Sequence, residues 1–594
     1  DVALPVVEPR TVLDSGEWRK SLSPATHEVV AEKKVMVAMR DGVRLAADVY
    51  RPAGEGKFPT VLVRTPYGRV VEGVTRGHPF AKRGYALVVQ DVRGRFESEG
   101  APFAPLIHES DDGSDTIDWI AAQPWSDGNV GMIGGSYVGM VQWYAARTGN
   151  PHLKAIVPQV SPPDPDQNFP YEGGVFLLST AWWAVALDQI AASGGIPRGV
   201  DWKKALATLP LTEIDTALGT AHPFLDEWIS HPPTDAAYWK PYRYQDRFGE
   251  MSVASLNISG WYDGDQPGAV QHFPGMRRGA KTEEARKHQF LVMGPWGHGF
   301  NATRTLGDVD FGEQAVIDLD ALVYRFFDRY LKGIDNGIDG EDPVKVFVMG
   351  ANRWQREKDW PVPGTSWTKL HLAGSKANKI DGGGRLALAP AEGPADVYAY
   401  DPLKLPEDMP SYEDMTGQQA TADQSQFPDE ESVLDYTSPP LAAPAEITGP
   451  ITAKLWVSTD AVDTDFVFAV NRVTPDGKVR ALGGGIQRLR YRLGSGQDSP
   501  VPPGEVVEVE IDGWATSQRL ETGDRIRVSI ASTGFPGYAR NLNTLEPAHT
   551  ATEAKVANNT VHHDPARPSH VLLPIVPRED APGLTFETAD EPHD

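Results

Sequence analysis

Cysteine is absent from all 594 residues. That excludes disulfides, thiolate metal sites and a cysteine nucleophile, and it is compatible with any redox compartment. Long apolar runs are missing too, since none reaches the ~18–20 residues of a membrane span. The longest candidate, Gly173 to Leu187, is interrupted by Ser179 and Thr180 and reads as a buried helix or pocket wall. Basic residues are outnumbered, 56 Lys and Arg against 81 Asp and Glu, for a net charge of −25. Such an excess disfavours nucleic acid and anionic membranes as partners. No His-x-x-x-His or Glu-His cluster stands at ligand spacing, so neither a metal nor another cofactor is expected. There is no internal repeat.

What is present is a long globular chain, 40% apolar with sixteen Trp, too long for one core and suited to two or three domains. Residues 1–28 read as irregular. Lys34–Arg40 and Val43–Tyr50 flank Asp41-Gly42, a strong hairpin signal. Short apolar runs then alternate with helical ones. Phe58–Arg64, Tyr85–Gln90, the stretch before Ser136, Leu153–Val160, Val253–Ser259 and His288–Met293 read as strands, and about Asp111–Ala122 as a helix. Near-continuous apolar strands alternating with helices imply a parallel sheet covered on both faces.

The expected organisation is an α/β-hydrolase-like domain from 1–161 and 246–340, interrupted by a helical cap at 162–245. The cap is rich in Trp, Pro and Ala, with helices around 175–193 and 223–230. After an amphipathic helix, Val316–Leu331, and a Gly/Asp-rich break, the texture is β only, which suggests a β-sandwich, a jelly roll, over 341–594. Val344–Met349 is its first expected strand. Residues 386–445, acidic and proline-rich, read as a long surface connection within it.

The chemistry centres on Gly134-Gly135-Ser136-Tyr137-Val138-Gly139, between an apolar strand and a helix-forming run. A serine on such a turn is held in a strained backbone with its oxygen out of the sheet, the nucleophile-elbow pattern. One feature departs from Gly-x-Ser-x-Gly: Val138 occupies the second glycine's place and Gly139 follows one step later. A serine nucleophile needs a base, and the base an orienting acid. Asp263 and His298 stand at the ends of later strands in the expected order of serine, acid, histidine. The Tyr137 N–H, opening the helix, supplies one oxyanion donor. The loop Thr65-Pro66-Tyr67-Gly68 offers the Tyr67 phenol as a second. Each residue alone has a structural reading; the three triad positions in order make the case.

Arg64-Thr-Pro-Tyr-Gly68, Asp91-Val-Arg-Gly-Arg95 with Ser98-Glu-Gly100, Gly134-Gly-Ser-Tyr-Val-Gly139, Gly260-Trp-Tyr-Asp263 and Gly294-Pro-Trp-Gly-His298 together resemble the cocaine-esterase-like serine hydrolases. That group includes X-Pro dipeptidyl-peptidases, α-amino-acid ester hydrolases and some glutaryl acylases. The resemblance extends to Gly513-Trp514, Leu520–Arg527 and His570–Pro574, which look like the family's jelly roll. It implies Ser136, Asp263 and His298 as catalytic triad, Tyr67 and Tyr137 as oxyanion hole, and acyl transfer through an acyl-enzyme. It also makes the displaced glycine a family trait. The α-amino-acid ester hydrolases hold a substrate ammonium with a carboxylate cluster. Here Asp265 fits one position and Gln266 occupies the next, while Asp164, Asp166 and Glu172 are candidates for the remaining acid. The aromatic residues Phe176, Trp182, Trp183 and Trp261 suggest an apolar acyl pocket instead, with Asp265 solvating its loop.

Three readings result. The first is an esterase or amidase acting on small esters, amides or short peptides. The second is an aminoacyl-directed hydrolase: an α-amino-acid ester hydrolase, β-lactam acylase or X-Pro dipeptidyl-peptidase. The third is a non-catalytic jelly-roll protein that binds carbohydrate. The oligomeric state is open, with a homo-oligomer possible. A chain beginning at Asp1 fits either export after signal-peptide removal or a trimmed cytoplasmic protein.

Overall fold

The computed structural model describes residues 15–193, 199–378, 382–406, 431–494 and 496–587. Its first sheet has ten strands: β1 Val29–Ala38, β2 Arg44–Pro52, β3 Phe58–Thr65, β4 Ala86–Asp91, β5 Ser126–Gly135, β6 Leu153–Gln159, β7 Ala254–Gly260, β8 Gln289–Gly294, β9 Val344–Val348 and β10 Arg353–Glu357. They lie side by side in the order β1-β2-β4-β3-β5-β6-β7-β8-β9-β10. The hairpin β1–β2 forms as the Asp41-Gly42 signal predicts, and β2 runs antiparallel to β4. From β4 to β9 all neighbours are parallel.

Parallel register fixes where chemistry can occur. The chain passes from β3 out to β4, then returns to place β5 on the other side of β3. This reversal opens a crevice beyond the strand ends, where open α/β sheets bind ligands. The loops after β3, β5, β7 and β8 all emerge on that rim. They carry Tyr67, Ser136, Asp263 and His298.

Between β6 and β7 the chain leaves the sheet. It forms a short hairpin, Tyr171–Glu172 with Val175–Phe176, and helices that include Ser179–Ser193, Trp202–Ala207 and Pro223–Ser230. Buried aromatics such as Trp228, Trp239 and Tyr242 hold this segment together and join it to the core under β5 and the following helix. Among the described residues, no helix is long and apolar enough to cross a membrane.

Among the described residues the C-terminal region is a sheet of eleven strands, nearly all antiparallel, with its own core. Three expectations need correction. Val344–Met349, expected as the first strand of this region, belongs to the other sheet: Val344–Val348 is β9, paired in parallel with β8. All five of its residues are buried, as a strand covered on both faces must be. The Gly/Asp-rich stretch before it is a crossover loop. Secondly, the expected connection at 386–445 contains sheet strands at Asp396–Tyr400 and Leu434–Thr437. Their short alternation was masked by the acidic, proline-rich surroundings, and 407–430 lies outside the described residues. Thirdly, Ser15–Lys20 is helical within the segment read as irregular, and Trp18 is buried there.

The C-terminal sheet docks on the inserted segment through main chain. The Gly173 carbonyl accepts from the Arg488 N–H at 2.8 Å and from Gln487 Nε2 at 3.0 Å. Gly173 sits at φ 53°, and a Cβ there would lie 1.8 Å from the Ile486 carbonyl oxygen. Gly173→Ala should therefore cost about 1–3 kcal/mol, by strain and forced separation of the two surfaces. Urea unfolding checks this, with increased proteolysis at the seam as the accompanying sign. An unfolding midpoint equal to that of the wild type would refute it.

Candidate active site

The turn after β5 is as strained as its sequence implies. Ser136 has φ 60° and ψ −128°, outside the ordinary regions for a residue with a Cβ. Such a conformation costs about 1–3 kcal/mol and persists only where surroundings enforce it. Here the Ser136 N–H is shared between the carbonyls of Gln159 at 2.9 Å and Val160 at 3.0 Å. The displaced glycine also has a physical reason. The helix Tyr137–Ala146 crosses the exit of β6 at Gly139, where a Cβ would come within 2.7 Å of Ser161 Cβ. Val138 instead packs over Gly134, whose missing Cβ leaves room for it. The first helical N–H groups bonded back are those of Gly139 and Met140, both to the Ser136 carbonyl. The Tyr137 N–H stands ahead of them at the open end of the helix.

Asp263 and His298 meet across the ends of β7 and β8. The Trp261 N–H bonds the Gly294 carbonyl at 2.9 Å and the Tyr262 N–H bonds the Trp296 carbonyl at 3.0 Å, so each loop fixes the other. Asp263 is wholly buried. Its Oδ1 pairs with His298 Nδ1 at 2.8 Å and accepts from the Asp265 N–H at 3.1 Å. Its Oδ2 accepts from Ser259 Oγ at 2.7 Å. A carboxylate held this way fixes the imidazole with Nδ1–H inward and Nε2 outward. The His298 side chain is 41% exposed, and that exposed part borders a cavity of about 1110 Å³.

Ser136, Tyr137, Trp182, Trp183, Trp261, Asp265 and His298 line this one cavity. Tyr67, on the loop after β3, meets Ser136: its phenol hydrogen-bonds that serine and accepts from Trp183 Nε1 at 3.1 Å. Burial pushes that phenol up to about 12, so it keeps its proton at working pH. The Tyr137 side chain is anchored beneath, its hydroxyl donating to Glu109 Oε1 at 2.7 Å. The charges work against one another. Burial disfavours the His298 cation, but the fields of Asp263 and Asp265 outweigh it and hold the imidazole up to about 9. Burial raises Asp265, and Asp263 adds to this. Asp263, Asp265 and His298 present atoms within 4.8 Å of one another, a spacing a cation could use. The hydrogen bonds among them are those of an acid–histidine pair.

Phe176 does not join the site. It lies on the hairpin strand Val175–Phe176, its ring 5.3 Å from Tyr171, and borders a separate, smaller cavity. Sequence spacing counted it with its aromatic neighbours; a short strand turns alternate side chains to opposite faces. Asp164 accepts the N–H groups of Tyr244 at 2.8 Å and Gln245 at 3.2 Å, and Asp166 pairs with Arg243 at 2.6 Å. Gln266 turns to the C-terminal sheet, where its Oε1 accepts from the Ala515 N–H at 3.2 Å. Sequence reasoning missed that the C-terminal region lines this cavity, with Trp514 and Tyr538 among the residues it contributes. Trp514 Nε1 and the Tyr538 hydroxyl donate to Glu172 at 2.8 and 2.7 Å, and burial raises that carboxyl to about 8. The Gly513-Trp514 motif was the available signal, but nothing in it told that the two regions share a cavity.

Comparison with known proteins finds relatives along most of the chain. A family model described as X-Pro dipeptidyl-peptidase (S15 family) matches residues 41–300, and one for the X-Pro dipeptidyl-peptidase C-terminal non-catalytic domain matches 336–572. Cocaine esterase of Rhodococcus sp. (strain MB1 Bresler) is 38% identical over 578 residues, covering 92% of this chain and 98% of that protein. Among solved structures, an α-amino acid ester hydrolase superposes with TM-score 0.78 at 25% identity, over 96% of this chain and all of its own. An aminopeptidase from the marine sediment archaeon Thaumarchaeota archaeon gives TM-score 0.79 at 26% identity, over 96% and 98%.

The raised histidine sets a pH prediction. A base must be neutral to accept a proton, and an ordinary histidine becomes so near ~6.5. The acid limb of kcat/KM should therefore fall at higher pH than that. Asp265→Asn removes one of the two carboxylates facing His298 and should move the limb to lower pH. Profiles of both proteins with one ester substrate decide it, and an unmoved limb contradicts the assignment.

Proposed function

From membership of the X-Pro dipeptidyl-peptidase (S15) family, to which this chain belongs together with cocaine esterase, we propose that Ser136, His298 and Asp263 form its catalytic triad. The protein is a serine hydrolase of ester or amide bonds. In this reading Ser136 Oγ attacks the substrate carbonyl as His298 Nε2 takes its proton. Asp263 keeps the imidazole in register and stabilises its cation. The oxygen that becomes negative is received by the Tyr137 N–H and the Tyr67 hydroxyl. His298 then gives its proton to the leaving alcohol or amine, which departs and leaves an acyl-Ser136 ester. Water, deprotonated by the same imidazole, releases the acid and restores the serine. The observation that carries the reading is the 2.8 Å bond from His298 Nδ1 to buried Asp263, on the rim where the strained Ser136 turn opens.

Residues 162–245 serve in this scheme as a cap over the crevice, and the hydrolase unit continues through β10 instead of ending at 340. The acyl group enters an apolar pocket walled by Trp182, Trp183 and Trp261. The aminoacyl-directed reading has weaker support. Of its expected carboxylates Asp265 lines the cavity, Gln266 is turned away, Asp164 and Asp166 are committed to other partners, and Glu172 is held by Trp514 and Tyr538.

A matched pair of esters, one with a free α-amino group and one N-acetylated, separates the readings. Both should turn over, and loss of turnover on N-acetylation would favour the aminoacyl reading. Ser136→Ala should lower kcat by roughly 10⁴-fold or more, and Tyr67→Phe by about 10²–10³-fold. Equal rates for wild type and Ser136→Ala, with no fluorophosphonate labelling of Ser136, would sink the enzymatic scheme and favour a binding protein. Chelators should leave the rate unchanged.

A further inference from the structure

The motif Asp91-Val-Arg-Gly-Arg95 contributes no atom to the triad, yet its last residue touches the machinery from behind. Arg95 Nε donates to the Pro66 carbonyl at 2.9 Å, one residue before Tyr67. Its Nη2 donates to the Leu187 carbonyl at 2.8 Å, on the cap helix Ser179–Ser193. Both acceptors are main-chain oxygens, and the guanidinium lies over the rings of Phe96 and Phe103, each 5.3 Å away. A planar fork of N–H groups suits this: two donors in fixed directions bridge two segments that are otherwise distant in sequence. Arg95 itself does not line the catalytic cavity.

The same helix makes a second contact with the same loop. Trp183 Nε1 donates to the Tyr67 hydroxyl at 3.1 Å. An indole nitrogen can only donate, so the phenol oxygen accepts there and its own proton must point elsewhere. Ser136 is the other hydrogen-bond neighbour of that hydroxyl. The indole has little freedom to turn, being stacked on Tyr137 at 6.0 Å and on Trp228 at 6.2 Å. We propose that Arg95 and Trp183 are positioning residues for the Tyr67 donor: together they fasten its loop to the cap helix and aim its proton at the oxygen that becomes negative. This rests on the reading of Tyr67 as an oxyanion donor given above. One half of the oxyanion hole is then set by the cap, so a cap that shifts away takes transition-state stabilisation with it.

A double-mutant cycle tests the proposal. Arg95→Met and Arg95→Lys are each made alone and in a Tyr67→Phe background, and kcat and KM for one small ester are measured with the melting temperature. Lysine keeps the charge but has one nitrogen in place of the two that hold the carbonyls, so it carries the cycle if the methionine variant folds poorly. Either change alone should lower kcat about tenfold or more, since small misplacements of a catalytic donor are costly, and KM should change far less. In the Tyr67→Phe background the same change should cost less than about twofold, because the group it positions is gone. Trp183→Phe, which removes the N–H and keeps a ring, should show the same loss of effect. Full additivity with Tyr67→Phe, or an unchanged kcat in the single variants, overturns the proposal while leaving Tyr67's own role standing. A Tyr67→Phe enzyme with wild-type kcat overturns the donor reading and the positioning proposal together.

Discussion

The site depends on one strained peptide. Ser136 is held at φ 60° because its N–H is caught between two carbonyls of the neighbouring strand's exit and because the following helix crosses that exit at Gly139. Relax that turn and three things fail at once. The hydroxyl drops back toward the sheet, the Tyr137 N–H leaves the helix opening, and the helix loses its seat on β6. Parallel pairing of β3, β5, β7 and β8 then does the rest, since it puts Tyr67, Asp263 and His298 on the same rim.

Beneath the rim lies a line of buried charge. Arg64, fully buried, pairs with Glu109 and bonds Gln90 Oε1 at 2.9 Å. Glu109 accepts the Tyr137 hydroxyl. Arg93 closes on Asp112 through two bonds of 2.9 and 2.6 Å and reaches Asp41 at the surface. Breaking such a pair leaves a buried charge uncompensated and typically costs several kcal/mol, about 3–5. The network thus resists local rearrangement around Tyr137. It gives a structural reason for two motifs, Arg64-Thr-Pro-Tyr-Gly68 and Asp91-Val-Arg-Gly-Arg95, that supply few reacting atoms.

Legibility followed the range of the forces involved. The placement of Ser136, Asp263 and His298 on one rim was readable because each follows an apolar strand by a fixed few residues, and strand ends are local features. The hairpin β1–β2 was readable for the same reason. Phe176 was misplaced because the facing of a two-residue strand is decided by what packs on it. β9 was given to the wrong sheet since an apolar strand carries no mark of its partner. Trp514 and Tyr538 went unseen: their position over the cavity comes from docking of the C-terminal sheet on Gly173, a contact between segments more than 300 residues apart. That docking also changes the meaning of a C-terminal region matched to a non-catalytic domain, because it walls the cavity that Ser136 and His298 line.

The central claim is that an acyl group passes through Ser136. The direct measurement is intact-protein mass spectrometry during turnover of a slowly deacylating ester, followed by peptide mapping of the trapped species. The account predicts a mass gain equal to one acyl group, located on the peptide containing Ser136 and absent from Ser136→Ala. An adduct on another residue, or rapid turnover that leaves no adduct when quenched in the steady state of a burst, would contradict it.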